Sequence, residues 1–459
     1  MLRDDIICAL STPQGIGALA IIRVSGENSH ATIAPFFNSK RATKSGYESH
    51  RAYFGDFSVK EEHIDEVRIT VCEEGKSGTG EESFEISCHG SPYIVQRIME
   101  CILEAGARMA DPGEYTMRAF MNGRMDLAQA EAVADLIHAE NKTMHDVALR
   151  QLKGGLSSEI DSFRDELVHF ASMIELELDF SEEDVEFASR KQLLNMLQSL
   201  KTNVHSLLDS FKYGNAIKNG IATAILGAPN AGKSTLLNAL LGEDRAIVSA
   251  IAGTTRDTIE DTFHYAGLTY RLIDTAGIRD TEDYVEKIGI LKAFEQAEKA
   301  DVIFYLIDAT DPEKDVENRI KYLKASAPQA IVFLCINKTD QVDTDVILDL
   351  FQDTKHDFFP ISAKSKEGLS ALLEALKEAT AWTAHSSSQS IVTNARHADA
   401  LRRTSKALDK SIHAVEMNIP GDLLAQDLRL ALDGLGEITG TISTDDLLAN
   451  IFSKFCIGK

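Results

Sequence analysis

A phosphate-binding loop in the middle of the chain constrains the fold more than any other feature of the sequence. Residues 227–235 read Gly-Ala-Pro-Asn-Ala-Gly-Lys-Ser-Thr, between the apolar residues 221–226 and the helix-prone residues 236–241. A strand, a glycine-rich loop and a helix in this order form a P-loop, whose backbone N–H groups surround a phosphate. Lys233 reaches the terminal phosphates, and Ser234 offers its hydroxyl to Mg²⁺. The sequence therefore predicts a nucleoside triphosphate site in an α/β domain.

Three further motifs follow in the chain and identify the base. Asp274-Thr275-Ala276-Gly277 supplies an aspartate that can hold Mg²⁺ through water and a glycine N–H that can sense the γ-phosphate. In Asn337-Lys338-Thr339-Asp340, the carboxylate can accept both the N1–H and the 2-amino group of guanine, a pair of donors that adenine lacks. Ser362-Ala363-Lys364 fits the loop that closes over the base. Four motifs in this order, each after a strand-like run, predict a domain that binds and hydrolyses GTP.

The composition is that of a globular protein. The 459 residues have room for about three domains at ~150 residues each, and no apolar run reaches the ~18 residues of a membrane span. Residues 1–5 lack the apolar core of a signal peptide. The six cysteines show no Cys-x-x-Cys spacing, which argues against structural zinc. We therefore expect a protein of the reducing cytoplasm, without a membrane partner.

The net charge of −24 opposes tight nucleic-acid binding by this chain alone, because phosphate contacts supply much of that affinity. One segment runs against the trend: Arg396, Arg402, Arg403, Lys406 and Lys410 cluster on a predicted helix. The sequence leaves two interpretations of this cluster open, a solvated helix face and an RNA contact.

Hydrophobic patterning places the nucleotide domain as an insertion. Residues 1–120 alternate short strand-like runs with turns and then turn helical, which predicts an α+β domain. Residues 121–215 and 381–459 carry apolar side chains every three or four positions, typical of core-facing helices. The nucleotide domain occupies 216–380. The expected fold is thus multidomain α/β, with a Ras-like P-loop domain inserted in a mostly α-helical domain.

Two residues indicate how hydrolysis differs from that of Ras-like enzymes. Those enzymes place a glutamine directly after the Asp-x-x-Gly glycine to orient water, whereas this chain has Ile278. Another group must therefore position the water, or hydrolysis must be slow. The amide oxygen of Asn230 can coordinate a monovalent cation that replaces the charge of an arginine finger. The alternative role of Asn230 is that of a turn-forming residue.

Three other segments are distinctive. The chain ends in Phe-Cys-Ile-Gly-Lys at 455–459. Pro-Gly-Glu-Tyr-Thr at 112–116 is followed by Arg-Ala-Phe at 118–120 and by Asp-Leu-Ala-Gln-Ala-Glu-Ala at 126–132. Gly-Thr-Thr-Arg-Asp at 253–257 has the form of a switch I loop. Through these segments the sequence resembles, over its whole length, the bacterial tRNA-modification GTPase family MnmE, also called TrmE.

This resemblance implies a K⁺-stimulated GTPase whose G domains dimerise. With the flavoprotein MnmG it would add a carboxymethylaminomethyl-type group to C5 of the wobble uridine of certain tRNAs. The implied assembly is a heterotetramer of two copies of each protein, and FAD is expected on MnmG rather than on this chain. The one-carbon unit would come from 5-formyl- or methylene-tetrahydrofolate, bound by an N-terminal domain that resembles folate-binding domains of one-carbon enzymes.

The resemblance also implies the residues that contact the nucleotide and its ions. The K⁺ ligands would be oxygens of the P-loop and switch I: Asn230, Ser249, Ile251 and Thr254. The Mg²⁺ ligands would be the hydroxyls of Ser234 and Thr255. The carboxylate that orients the water maps to Glu286. The residues that contact GTP would come from all the motifs: Asn230, Ala231, Gly232, Lys233, Ser234, Thr235, Ser249, Ala250, Ile251, Ala252, Gly253, Thr254, Thr255, Asp274, Thr275, Ala276, Gly277, Asn337, Lys338, Asp340, Ser362, Ala363 and Lys364.

The folate contacts of the family map to Arg23, Glu85, Arg124 and Lys459. Glu85 can accept hydrogen bonds from the pterin amino and ring N–H groups, and the cationic side chains can pair with the folate carboxylates. The family often has lysine where this chain has Arg124, which keeps the charge but changes the contact geometry. Cys456 could act as a nucleophile, but only as a thiolate. The alternative is a structural role for the tail.

The alternative function is a binding switch in ribosome assembly, of the Era or Der kind, because the G motifs of those proteins resemble those of this chain. Such proteins carry an RNA-binding appendage after the G domain or a second G domain, and this sequence shows neither. The acidic balance also predicts that much of the affinity for tRNA comes from the flavoprotein.

Overall fold

A computed structural model describes residues 5–39, 47–179, 189–243, 261–273, 297–311, 316–343, 358–380 and 390–458. The chain forms two compact units. Unit 1 comprises Met1–His138, Ala148–Val204 and Asp399–Lys459, and unit 2 comprises Ala139–Val147 and His205–Ala398. The predicted combination of an α+β part, long helices and a P-loop α/β part is confirmed. Among the described helices, none is both long enough and apolar enough to cross a bilayer.

The described elements follow the alternation that the hydrophobic patterning predicts. The strands are β1 (Ile7–Leu10), β2 (Gly17–Ser25), β3 (Phe37–Asn38), β4 (Arg51–Val59), β5 (Glu62–Cys72), β6 (Ser83–Gly90), β7 (Arg108–Met109), β8 (Ile221–Gly227), β9 (Asp261–Tyr265), β10 (Leu268–Leu272), β11 (Val302–Asp308), β12 (Ile331–Asn337) and β13 (Phe358–Pro360). The helices are α1 (His30–Ile33), α2 (Pro92–Glu104), α3 (Glu114–Met121), α4 (Leu127–Ile137), α5 (Lys142–Leu152), α6 (Gly155–Asp179), α7 (Arg190–Asn219), α8 (Lys233–Glu243), α9 (Val316–Ser326), α10 (Leu369–Thr380), α11 (Ala395–Glu416), α12 (Gly421–Thr439) and α13 (Asp445–Phe452).

The sheet of unit 1 has the strand order β3-β4-β5-β6-β2-β1-β7. Its pairs are antiparallel apart from the β1–β7 pair, which is parallel. Successive side chains of a strand point to opposite faces, so β2 buries Ile22 and Val24 while Arg23 faces the other way. α2 covers the apolar face with Ile98 and Ile102. The opposite face, called the polar face below, carries Arg23 of β2 and Glu85 of β6 beside the apolar Leu19 and Ile21. A ligand can reach the sheet on this face.

The helices of unit 1 begin and pack for identifiable reasons. α4 starts at a capping box in which the Asp126 side chain accepts from Gln129 N and the Gln129 side chain accepts from Asp126 N. α12 packs along α6 and also lies close to α11: a Cβ on Gly434 would meet the Thr404 hydroxyl. α13 buries Phe452 against Leu127, which brings the end of the chain to the beginning of the helical part.

The sheet of unit 2 has the order β13-β12-β11-β8-β10-β9, parallel except for the antiparallel edge strand β9. β8 and β11 are buried nearly throughout, because apolar cores lie on both faces of the sheet. The register sets Gly227 opposite Leu306 and Asp308 opposite Asn337. The carboxyl ends of the central strands therefore meet at one edge, where α/β sheets bind their ligands.

Residues Ala139–Val147 belong to unit 2, although the residues before and after them in the chain belong to unit 1. Asn141 begins α5 by accepting from Met144 N at 2.9 Å, and its Nδ2 donates to Thr269 Oγ1 at 3.0 Å. Met144 packs against the apolar core that β10 helps to form. A Cβ on Gly267 would lie 2.7 Å from Thr143 Oγ1, so the β9–β10 turn and this segment are in close contact.

Candidate functional sites

Two glycines give the P-loop a shape that no larger residue fits. Gly227 has φ +148° and Gly232 has φ +97°, a region that residues with a Cβ rarely adopt. A Cβ on Gly227 would lie under 3.0 Å from Leu306 O, and one on Gly232 would lie under 3.0 Å from Asn337 Nδ2. The loop is thus packed directly against the neighbouring strands, and its backbone is left to face a phosphate.

The remaining P-loop residues are arranged for an anion. Lys233 begins α8, and its Nζ donates to Gly227 O at 3.0 Å and to Ala228 O at 2.8 Å, so the amine lies over the loop. Ser234 and Thr235 follow in the first turn, where the free N–H groups and the helix dipole favour negative charge. Asn230 has φ 64°, a left-handed conformation that asparagine tolerates better than most residues. The turn-forming role of Asn230 is therefore real, and it leaves the amide available as a ligand.

The base-recognition motifs are joined to the P-loop by one buried side chain. Asn337 is 2% exposed; its Nδ2 donates to Ala231 O at 2.8 Å, and its Oδ1 accepts from Ala363 N at 2.9 Å. Asp340 lies in the short 3₁₀ turn Thr339–Gln341, and its Oδ1 accepts from Ser362 Oγ at 2.7 Å. Three of the four predicted motifs are thus brought together at the carboxyl edge of the sheet, with Lys364 exposed beside them.

The fourth motif and several other predicted residues lie outside the described residues. These are Ser249, Ala250, Ile251, Ala252, Gly253, Thr254, Thr255, Asp274, Thr275, Ala276, Gly277, Glu286 and Lys459. Their roles stay predictions.

On the polar face of the unit 1 sheet, two of the predicted folate residues pair with each other. Arg23 on β2 lies opposite Glu85 on β6, and Arg23 Nε and Nη2 both donate to Glu85 Oε1, at 2.9 and 2.7 Å. The Arg23 guanidinium also lies 5.5 Å from the centre of the Tyr115 ring. Both carboxylate contacts use Oε1. Among the described residues, no hydrogen bond uses Oε2, so this oxygen is available to a ligand.

The C-terminal tail reaches the same face. Gly458 O accepts from Arg23 Nη1 at 3.4 Å and from Ser11 Oγ at 3.3 Å. Gly458 has φ +89°, and a Cβ there would lie 2.6 Å from Leu10 O, so only glycine permits this approach. Lys459 follows Gly458 directly in the sequence. The tail thus approaches Arg23, whereas the role of Lys459 stays a prediction.

The structure does not bring every predicted folate residue into contact. Arg124 is exposed and lies beside Gly80; within the described part of the chain, no hydrogen bond joins it to Arg23 or Glu85. Cys456 is exposed, and its carbonyl accepts from Gly113 N at 3.5 Å. The buried thiols are poor nucleophiles, since burial raises the pKa of Cys8 and of Cys88 to about 11.

Sequence reasoning missed a buried ion-pair network behind this face. Arg118 on α3 is 1% exposed; its Nη2 donates to Asp5 Oδ1 at 2.9 Å and to Glu114 Oε1 at 3.0 Å, and its Nη1 lies 3.2 Å from Glu81. Arg108 also pairs with Asp5 and Glu114. The signal in the sequence is an arginine flanked by Met117, Ala119, Phe120 and Met121, which does not distinguish a buried charge from an exposed one.

At least two of the five cations in the basic cluster on α11 form ion pairs with carboxylates. Arg402 pairs with Asp399, and Arg403 pairs with Glu437 across to α12. Lys406 and Lys410 are exposed on the same helix. Of the two interpretations, these pairs favour a solvated helix face over an RNA contact.

Comparisons with known proteins cover the whole chain. A model of the MnmE helical domain matches residues 127–456, and a model of the GTP-binding protein TrmE N-terminus matches residues 6–124. The tRNA modification GTPase MnmE of Cytophaga hutchinsonii is 49% identical over 457 residues, which are 99% of this chain and 98% of that protein. The protein of the same name from Christiangramia forsetii is 48% identical over 474 aligned positions and covers 100% of both chains.

Solved structures are similar to part of this chain. The G domain of FeoB from Methanococcus jannaschii is 26% identical over 35% of this chain and 97% of its own length, with a TM-score of 0.24. Era from Aquifex aeolicus bound to GDP and AlF₄⁻ is 27% identical over 41% of this chain and 66% of its own length, with a TM-score of 0.26.

Proposed function

The chain belongs to the MnmE family of tRNA modification GTPases, and we propose that it uses GTP hydrolysis to modify the wobble uridine of certain tRNAs together with the flavoprotein MnmG. The observation that carries the proposal is the assembly of the P-loop, Asn337, Asp340 and Ser362 at one sheet edge, in a chain that matches its MnmE relatives from end to end. The full-length match disfavours a ribosome-assembly switch of the Era or Der kind.

The proposal is tested in a bacterial strain that lacks its own member of this family. We expect the native chain to restore the modified wobble uridine, measured by mass spectrometry of tRNA nucleosides. Lys233→Ala should leave the uridine unmodified, since it removes the amine that lies over the P-loop and that we expect to contact the terminal phosphates. Gly242→Ala, a change at an exposed position late in α8, should behave like the native chain. Correction of a ribosome-assembly defect with unmodified uridine would instead support the binding switch.

For the ions, we propose K⁺ beside the phosphates on Asn230, Ser249, Ile251 and Thr254, and Mg²⁺ on Ser234 and Thr255. Support comes from the position of Asn230 inside a loop closed by glycines and from Ile278 in place of a water-orienting glutamine. K⁺ would supply the positive charge that an arginine finger gives other GTPases. As the family resemblance implies, the proposal also includes dimerisation of the G domains of two copies of this chain.

We expect GTP turnover to be at least tenfold faster in KCl than in NaCl at equal ionic strength, on the order of what a partial substitute for an arginine finger supplies. Asn230→Gly removes the amide but keeps a left-handed backbone, so it should abolish the difference between the two salts without unfolding the loop. Equal rates of the native chain in both salts would contradict the cation site.

Glu286 has a separate signature in the same assay. We propose that it orients the attacking water, because Ile278 cannot. Glu286→Ala should retain GTP binding and lose turnover about a hundredfold in either salt, the usual scale for removing a positioned acid–base group. Normal turnover by Glu286→Ala would move this role to another residue.

We further propose that a reduced folate lies on the polar face of the unit 1 sheet, against Arg23, Glu85, Arg124 and the tail residue Lys459. Glu85 Oε2 faces the ligand while Oε1 is held by Arg23, so the carboxylate is oriented before binding. A ligand carboxylate would pair with Arg124 or Lys459. Cys456, exposed two residues before Gly458, is a second candidate for chemistry at this face.

Glu85→Gln should weaken binding of 5-formyltetrahydrofolate by about tenfold or more, since a hydrogen bond to a charged acceptor contributes roughly 1.5–3 kcal/mol. Calorimetric titration measures it. Glu48→Gln is the matched control, because Glu48 also pairs with an arginine but is exposed and lies before β4. Equal affinity of Glu85→Gln and the native chain would remove Glu85 from the site.

A further inference from the structure

An ion pair at the carboxyl edge of the unit 2 sheet holds the lysine of the base-recognition motif. Lys338 Nζ lies 2.5 Å from Asp308 Oδ2, and the two side chains are 26% and 12% exposed. Asp308 is the last residue of β11 and lies opposite Asn337 on β12, so the strand register puts the carboxylate beside the residue that follows Asn337. The pair therefore lies directly beside the residues that form the nucleotide site.

The carboxylate is itself fixed by the chain that follows it. Asp308 Oδ1 accepts from Thr310 N at 2.9 Å and from Thr310 Oγ1 at 2.7 Å, while Oδ2 is used by Lys338. Burial opposes ionisation, yet the hydrogen bonds from Lys338 and Thr310 outweigh it, and the pKa of Asp308 lies below its ordinary value. Asp308 is thus a charged acceptor with a set orientation.

The backbone of Lys338 needs support from its surroundings. Its φ of 67° is left-handed, which is uncommon for a residue with a long side chain. This conformation starts the turn Thr339–Gln341 that carries Asp340. Asp340 and Asn337 are held by Ser362 and Ala363, whereas Lys338 is held by Asp308. Asp308 therefore helps to hold the base-recognition motif in its conformation.

We infer that Asp308 is a positioning residue for the guanine nucleotide: by holding Lys338 Nζ at the sheet edge, it fixes the methylene stem of the lysine as an apolar wall beside the base that Asp340 recognises. The inference rests on guanine-nucleotide binding by this chain. A lysine stem has many rotamers, and ordering it before the ligand arrives removes that entropic cost from binding.

The carboxylate of Asp308 also repels the nucleotide phosphates, and the two effects on affinity differ in sign. Positioning acts on the base, which GDP and GTP share, so its loss weakens both nucleotides equally. Repulsion acts on charge, so its loss would strengthen binding, and more so for GTP with its additional phosphate. Measuring both nucleotides separates the two effects.

Asp308→Asn keeps the size of the side chain and an acceptor for Thr310, but removes the charge that holds Lys338. We expect it to raise the Kd of a fluorescent GDP and of a non-hydrolysable GTP analogue by about tenfold each, equivalent to about 1.4 kcal/mol. Lys338→Met, which keeps a flexible stem without the amine, should give a similar loss. The double variant should lose no more than either single variant, because both break the same contact.

Asp301→Asn is the matched control. Asp301 precedes β11 at the opposite edge of the sheet, where its Oδ2 accepts from Ala222 N at 3.1 Å, and its loss should leave both Kd values unchanged. Unchanged or tighter binding by Asp308→Asn, or additive losses in the double variant, would overturn the inference. If the native chain bound neither nucleotide, GTP binding itself would be refuted instead. If Asp308→Asn did not fold, Lys338→Met would decide: a tenfold loss supports the inference and an unchanged Kd overturns it.

Discussion

Gly232→Ala is expected to weaken GTP binding severely. The new Cβ would lie under 3.0 Å from Asn337 Nδ2, and Gly232 has φ +97°. Asn337 cannot move aside, since its amide is bonded to Ala231 O on one side and to Ala363 N on the other. Releasing this buried side chain costs roughly 1–3 kcal/mol, and the left-handed backbone adds about 1–2 kcal/mol. We expect Kd for GTP to rise by on the order of a hundredfold.

The matched control is Gly242→Ala in α8, the helix that follows the loop. A Cβ there would have only Lys366 Nζ nearby, at 3.9 Å, and α8 is regular at this point. Alanine is the better helix former, so affinity should be unchanged and stability unchanged or slightly higher. Titration with a fluorescent GTP analogue measures both variants. A Gly232→Ala protein that binds like the native chain would show that the loop can be rebuilt without Asn337.

The nucleotide site could be predicted from the sequence because its signals are local. Each motif follows a run of apolar residues, and parallel strands bring their carboxyl ends to one edge, so motifs separated by more than a hundred residues are expected to meet. The prediction did not extend to how they meet. That Asn337 bridges the P-loop and Ala363 depends on the register of β11 and β12. Strand register between distant segments leaves no trace in a single sequence.

The grouping of residues 139–147 shows a second limit. Helical periodicity describes α5 but not which neighbour its first turn contacts. The hydrogen bond from Asn141 to Thr269 joins positions far apart in the chain, and the close approach of Gly267 to Thr143 depends on the shape of the β9–β10 turn. Contacts of this kind are tertiary, so a pattern read along the chain cannot reveal them.

The face of the unit 1 sheet that we propose binds folate could be predicted from the sequence only in part. Family resemblance pointed to Arg23 and Glu85, and the structure shows that they lie opposite each other on neighbouring strands and form an ion pair. Arg118 had no such signal. Charged residues are mostly exposed in proteins, so a pattern-based reading leaves an arginine on α3 at the surface.

Arg118→Met is expected to destabilise the sheet of unit 1 by about 3–5 kcal/mol, the usual cost of removing one partner from a buried ionic network. Methionine fills much of the volume, but Glu114, buried at 5% side-chain exposure, loses one of its two arginine partners. Asp5 and Glu81 each lose a contact as well. Hydrogen exchange of the strand amides measures the change within unit 1, which a single melting curve of a multidomain chain would not resolve.

The destabilisation should depend on pH. Burial raises the pKa of Glu114 and of Asp5, but the hydrogen bonds and charges of Arg108 and Arg118 outweigh it, and both pKa values lie below their ordinary values of 4.5 and 3.8. A carboxylate whose pKa is lower in the folded state stabilises that state above its unfolded pKa, and this contribution is lost as pH falls through the folded value. The difference between Arg118→Met and the native chain should therefore be full at neutral pH and shrink below about pH 4.

Arg51→Met gives the matched control, because Arg51 also pairs with a glutamate but is 53% exposed, and its partner Glu48 is 60% exposed. An exposed pair contributes less than about 1 kcal/mol to stability, so hydrogen exchange of the strand amides should hardly change in this variant at any pH. The comparison isolates burial as the cause, since both substitutions remove the same charge. If Arg118→Met and Arg51→Met gave the same small effect, the network would be a set of independent surface pairs. A destabilisation that stayed constant down to pH 3 would indicate that packing of the arginine stem, rather than its charge, stabilises the attachment of α3 to the sheet.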